Sequence, residues 1–352
     1  MAIRPVETRN TRFDVLRIVF ALLVILSHAP ELTDGSPSRE LFHRFTRSGE
    51  TFGSFAVYGF FLLSGFLIVR SWQVEPHFWN FLQKRVLRIV PGYLVAVVLS
   101  VVLVGLLAPA TPHYFHEFHP KYLKGIALLS SPATPPVLPG AAYPLVNGAL
   151  WTIGYEFRCY LLVAIFGVLG LVNRRFAWLG ATLFFAALAM LPIAPSSHFA
   201  HLVGAVLGEP DKIFRLAAAF FVGGCFLLFR ELIPFRVPLA ILAAVGLLGG
   251  IFSPYTASAA LVLCGGYLLF YFAQLPARAA LLPRRFPDIS YGLYLYGWPV
   301  EALWIWHFHG SPWVAFLGSA ILCAGLGWLS WHFVERPMLR LKRRSTSALP
   351  PG

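Results

Sequence analysis

Charge is scarce in this sequence, and negative charge scarcer still. Aspartate, glutamate, lysine and arginine together make up 12% of its 352 residues, about half of the roughly 25% a soluble domain carries. Of these, 15 are acidic and 28 basic. Hydrophobic residues reach 58% and mean hydropathy is +0.70. That composition excludes an ordinary soluble domain and reads as an integral membrane protein.

Cysteine is nearly absent. The four present (Cys159, Cys225, Cys264 and Cys323) fall in apolar stretches and never at CxxC spacing, which argues against both a disulfide framework and a zinc site. His113, His116 and His119 recur at spacing three in a proline-rich loop, but they lack a fourth ligand, so no metal is assigned. No internal repeat is visible, so the inverted-repeat signature of many transporters is missing. The first apolar run has no small-residue cleavage site and reads as a retained span.

What the chain does have is apolar sequence of helix length. Ten stretches are long enough, or nearly so, to span as helices, near 13–29, 52–72, 89–109, 148–170, 176–194, 213–230, 236–252, 256–275, 289–307 and 313–334. The expected fold is all-α, a bundle of about ten transmembrane helices. It forms one membrane domain over 1–352, with a helical core at about 13–334 and a tail at 335–352. A proline-rich loop at 110–147 is expected to cover one mouth, with a short interfacial helix at 122–129. Trp72, Trp151, Trp178 and Trp313 sit near span ends, where an aromatic belt forms.

The net charge of +13 invites a nucleic-acid reading, but the basic residues alternate by loop. With ten spans, nineteen lie on one side (Arg4, Arg9 and Arg12 among them, then Arg278, Arg284 and Arg285) and seven on the other, Lys121 included. The positive-inside rule then puts both termini in the cytoplasm of a multi-pass cell-membrane (inner-membrane) protein. The bases are topology signals first and contacts to anionic membrane lipids second. No nucleic acid is expected.

Against that background the charges inside spans stand out, because ionisable groups there are costly and usually functional. Arg17 and His28 are eleven residues apart, which puts them on one helix face about 16 Å apart along the axis. The alternative is that Arg17 snorkels and His28 merely ends the helix. Arg85 and Arg88, three apart at the start of the third span, share a face and suit a phosphate or pyrophosphate; topology anchoring is the competing reading. Glu156 and Tyr160, four apart at the opposite edge of the fourth span, also share a face. That places Glu156 on His28's side, where a carboxylate would orient a histidine base; an ion pair with Arg158 is the alternative. The Gly59–Phe66 run reads as close helix packing, and Ser290–Pro299 as aromatic packing or the wall of an acyl or sugar groove.

Taken together, these segments resemble acyltransferase family 3. The resemblance covers roughly 10–344. It rests on Arg17-x10-His28, the Gly59-Phe-Phe-Leu-Leu-Ser-Gly-Phe66 run and Lys84-Arg85-x-x-Arg88-x-x-Pro91. It rests also on Leu150-Trp151-Thr152 through Glu156 to Tyr160, on Ser290-Tyr291-Gly-x-Tyr294-Leu, and on Val334-Glu335-Arg336-Pro337. It implies O-acyl transfer, commonly of acetyl from acetyl-CoA used as a co-substrate with no tightly bound cofactor, to a glycan or small-molecule hydroxyl. His28 would be the base with Glu156 as its acidic partner. Arg17, Arg85 and Arg88 would bind CoA phosphates, and Trp151, Tyr160 and Tyr294 would contact substrate. Two positions depart from the pattern: Phe157 stands where many members carry a second acid, and Gly297 where many carry a histidine. A transporter of a small anion, or an acyltransferase acting on a lipid or small molecule, remains the alternative.

Overall fold

The computed structural model describes residues 11–346 apart from 109–110, 118, 120–123, 139, 194–195, 276–282 and 284–285. Arg4, Arg9, Lys121, Arg278, Arg284 and Arg285 of the charge argument therefore lie outside the described residues, as do Tyr122 of the expected loop helix and the chain beyond Thr346. Every regular element among the described residues is helical.

Ten long helices correspond to the ten apolar stretches: α1 (Thr11–Asp34), α2 (Phe52–Val74), α3 (Phe78–Leu107), α4 (Trp151–Val168), α5 (Arg175–Met190), α6 (Pro210–Leu228), α7 (Val237–Gly250), α8 (Ala257–Gln274), α9 (Ser290–Phe308) and α10 (Pro312–Leu341). Six of them are long and apolar enough to cross a membrane: α1, α2, α3, α4, α8 and α10. The difference from ten has a physical reason. At 1.5 Å per residue, α5 and α7 reach only about 24 and 21 Å, short of a hydrocarbon core of about 30 Å. Asp211, Lys212 and Arg215 lower the apolarity of α6, and three tyrosines, three tryptophans, Pro299, Glu301 and His307 lower that of α9.

Local chemistry sets the ends. Thr51 and Ser54 form a reciprocal capping box at the start of α2, satisfying two orphan backbone donors. Pro210 and Pro312 occupy the first helical position of α6 and α10, where a missing N–H costs nothing. The helix α9 runs continuously through Pro299. Three helices contain a π turn, at 100–104, 261–265 and 331–335. The last carries α10 past residue 334, so the segment expected to be a tail continues as helix to Thr346.

Helix α1 packs against α2, α9 and α10, and α2 lies against α6. The small residues of α2 act as expected. A Cβ on Gly65 would stand 1.8 Å from the Phe220 carbonyl oxygen, and one on Gly223 2.0 Å from that of Leu62. Any larger residue at either position would drive the two backbones apart. Trp72 and Trp178 are buried rather than belted; Trp178 stacks on Phe221 with centroids 4.5 Å apart and donates to its carbonyl. Outward apolar side chains such as Leu183, Ile241, Leu317 and Ile321 are exposed, as suits a lipid-facing surface. Among its described residues the 110–147 loop carries two short helices, Thr111–His116 and Lys124–Ala127, the second within the expected 122–129. Beyond them, Val137, Leu138 and Val146 bury against Val104 and Ala302, and the Asn147 amide donates to the Leu295 carbonyl at 2.9 Å. That loop is thereby fastened to α3 and α9.

Candidate active site

Two cavities lie in succession along α1, and they share Val57 and Tyr294 as a common wall. The first, of about 140 Å³, is lined by Arg17, Ser64, Arg85, Arg88, Glu156 and Tyr160. The second, of about 450 Å³, holds His28 at its wall. The prediction that Arg17 and His28 share one helix face is met in this form, with each facing a different chamber.

The arginines are deep because α3 begins at Phe78, eleven residues before the expected start. Arg85 and Arg88 are thus about 10–15 Å inside the helix rather than ahead of it. They differ in what already binds them. Arg88 is clamped: its guanidinium donates to Asp288 at 2.6 Å and to Glu335 at 3.1 Å and faces the rings of Tyr291 and Trp331. Asp288 is steadied by the Ser290 hydroxyl at 2.7 Å. Arg17 lies 3.6 Å from Asp14 and 3.9 Å from Asp288. Arg85 donates only a long bond of 3.4 Å to Ser71, and its buried Nε has no partner. Of the three expected anion ligands, Arg17 and Arg85 keep donor capacity, and Arg88 alone is hydrogen-bonded to two carboxylates. Arg88 is an ion-pair hub joining α3, the segment before α9, and α10.

Glu156 does not line His28's chamber. It is five residues into α4, about 7.5 Å below the helix start, and it opens onto the arginine cavity. Its Oε1 accepts from the Ser64 hydroxyl and the Tyr160 hydroxyl, each at 2.6 Å, and Ser64 and Tyr160 are 3.1 Å apart. Ser64, assigned to packing from the sequence, thus belongs to a polar triangle. The expected His28–Glu156 pairing is corrected: the carboxylate beside His28 is Glu301 of α9. His28 Nδ1 stands 4.0 Å from Glu301 Oε2. Glu301 is fully buried, and neither of its oxygens, nor His28 Nδ1, has a hydrogen-bond partner. The His28 ring meets Trp298 edge to face at 5.0 Å. Since α1 runs on to Asp34, His28 lies inside the helix and not at its end.

The rest of the second chamber is aromatic and acidic. Trp151, Tyr143 and Trp298 line it with Glu31, Glu50, Asp211, Lys212 and Arg215. Burial and the adjacent Glu31 carboxylate hold the Tyr143 phenol above its ordinary range, so Tyr143 keeps its proton and bonds Glu31. Tyr294, in the wall between the chambers, bonds Thr152 and the Ala149 carbonyl, each at 2.5 Å.

The site is thus a cationic chamber leading to a carboxylate–histidine pair. The acyltransferase domain of family 3 covers residues 10–332. The chain belongs to acyltransferase family 3. It is similar to an O-acetyl transferase of Shigella phage Sf6, 28% identical over 352 residues spanning 94% of this chain and 96% of the relative. No solved structure matches it. This helical membrane protein is therefore an acyltransferase, and the transporter reading is set aside.

Glu301, Asp288, Glu31 and Glu50 were not read as functional from the sequence. Glu301 was within reach: it is a carboxylate inside an apolar span, which is a functional signal by itself, and it lies one helical turn beyond the departure at Gly297. The others sit at or outside span ends, where acids are unremarkable.

Proposed function

We propose that the protein transfers an acyl group, acetyl in the first instance, from cytoplasmic acyl-CoA to a hydroxyl of a cell-surface or exported glycan. The observation that carries this is the pair of chambers meeting at Val57 and Tyr294: one offers an underused arginine, the other a histidine backed by a carboxylate. All ten helices would cross the inner membrane, α5 and α7 by local thinning of the bilayer. The chain would act as one domain over 1–352 with both termini in the cytoplasm. The arginine chamber then opens inward, where the anionic donor is. Arg85, with Arg17, would hold CoA phosphates by charge-assisted bonds.

From there the acyl thioester has about 16 Å to cover along α1 to reach His28, a distance the extended pantetheine arm spans. The acceptor hydroxyl would lie against His28. Glu301 keeps the Nδ1 side of the imidazole protonated and leaves the other nitrogen to take the hydroxyl proton. A separation of 4.0 Å is compatible with that role, since such contacts tighten when substrate binds. The oxygen then attacks the thioester carbonyl, the C–O bond forms, the C–S bond breaks, and His28 returns the proton to the CoA thiolate.

The test is turnover of acetyl-CoA by the purified protein with and without a glycan acceptor. Glycan-dependent release of CoA with acetyl recovered on the sugar supports the reading. Acetyl-CoA turnover that no glycan accelerates, with transfer instead to lipid, overturns the acceptor.

A further inference from the structure

We infer that the histidine chamber selects an uncharged sugar, bound through its hydroxyls by Glu31 and Glu50, and excludes uronic or otherwise anionic sugars; this deepens the proposed glycan acceptor and rests on that reading. The argument starts from which charges are free to meet a ligand. Two cations line the chamber, and both are already engaged. Arg215 is 3.0 Å from Asp211 and also bonds the Tyr58 hydroxyl. Lys212 is 2.8 Å from Glu209 and lies over the Trp151 ring at 5.1 Å. Neither resembles the bare, convergent guanidinium that captures a carboxylate or phosphate.

The acids are differently placed. Glu50 is buried, and its one hydrogen bond from a side chain, given by Tyr58, is long at 3.5 Å. Glu31 receives Tyr143. Each carboxylate has room for further donors, because an ionised carboxyl offers about four acceptor sites. Three carboxylates (Glu31, Glu50 and Asp211) against two cations line this space, and an anionic ligand would meet like charge without a free counter-charge.

A neutral sugar is chemically matched to the same surface. Its hydroxyls donate to carboxylates, and the apolar faces of its ring can lie on Trp151, Tyr143 and Trp298. A chamber of about 450 Å³ is in the range of small-ligand sites and admits the end of a glycan, with His28 at its wall to meet one hydroxyl.

The test compares pairs of oligosaccharides that differ only in oxidation of one hexose C6 from alcohol to carboxylate. Acetyl transfer from acetyl-CoA by the intact protein in detergent is measured over a panel of such pairs. The expected result is faster transfer to the neutral member, by at least about tenfold in kcat/KM, as like-charge rejection produces. The double substitution Glu31→Gln, Glu50→Gln should narrow that ratio while acetyl-CoA binding stays unchanged. Equal or faster transfer to the uronate overturns the inference and leaves the glycan reading standing. Transfer to no member of any pair removes the glycan reading, and the inference falls with it.

Discussion

Glu301 of α9 lies 4.0 Å from His28 of α1, and the facing atoms of both have no other partner. A fully buried carboxylate with no hydrogen bond is expensive, so its persistence beside a histidine points to the histidine as its purpose. His28→Ala should lower transfer by about 10²–10⁴-fold, the usual worth of a positioned acid–base group, while acyl-CoA still binds. Glu301→Gln should cost less. Adding it to His28→Ala should cost nothing further, since Glu301 acts through His28. Initial rates of the two single variants and the double variant decide it; additive losses would give Glu301 a role of its own.

Arg85 and Arg88 should part company on substitution. Removing Arg88 leaves Asp288 and Glu335 buried without their cation, so Arg88→Ala should destabilise by about 3–5 kcal/mol, read as a lowered unfolding temperature in detergent. Arg85→Ala should leave that temperature close to wild type and weaken acyl-CoA binding by about 1.5–3 kcal/mol. Lysine at 85 should restore only part of the affinity, because it has no planar fork. Normal donor affinity in Arg85→Ala would remove it from the donor site.

Glu156 lines the arginine chamber, which fixes a sign for the proposed donor site. Glu156→Gln keeps an oxygen for Ser64 and Tyr160 but removes a negative charge near an anionic donor. Acyl-CoA binding should hold or tighten while turnover falls. Titration calorimetry showing weakened donor binding would contradict this placement.

Val57 is in the wall between the chambers. Val57→Trp should obstruct the passage, so that donor and acceptor each bind with near-normal affinity but transfer is lost. Retained transfer would mean that the acyl group takes another route.

The topology is testable without any substrate. Reporters fused at Gly352 and within the loop around Pro132–Pro136 should lie on opposite sides of the membrane, given a bias in basic residues that stays seventeen to seven once Arg85 and Arg88 are taken as inside α3. Finding both on one side would invert or discard the orientation used above.

The chain's sequence by itself determined the helical membrane class, the ten apolar stretches and the residues around which the site is built. These follow from composition and 3.6-residue periodicity, which are local properties of a chain that must satisfy its own backbone in lipid. It also showed that Arg17 and His28 share a face, since both are on one helix. Only the tertiary structure decided the partners. Sequence spacing orders residues along one helix but carries no register between helices. Glu156 was therefore assigned to His28 from nominal depth, although a start of α3 eleven residues earlier and the true start of α4 bring Glu156 and Arg85 to the same level. Glu301 reached His28, and Asp288 and Glu335 converged on Arg88, through packing of α9 and α10 against α1 and α3. Contacts between residues some 250 positions apart are set by which helix faces fit together, and no local pattern encodes that.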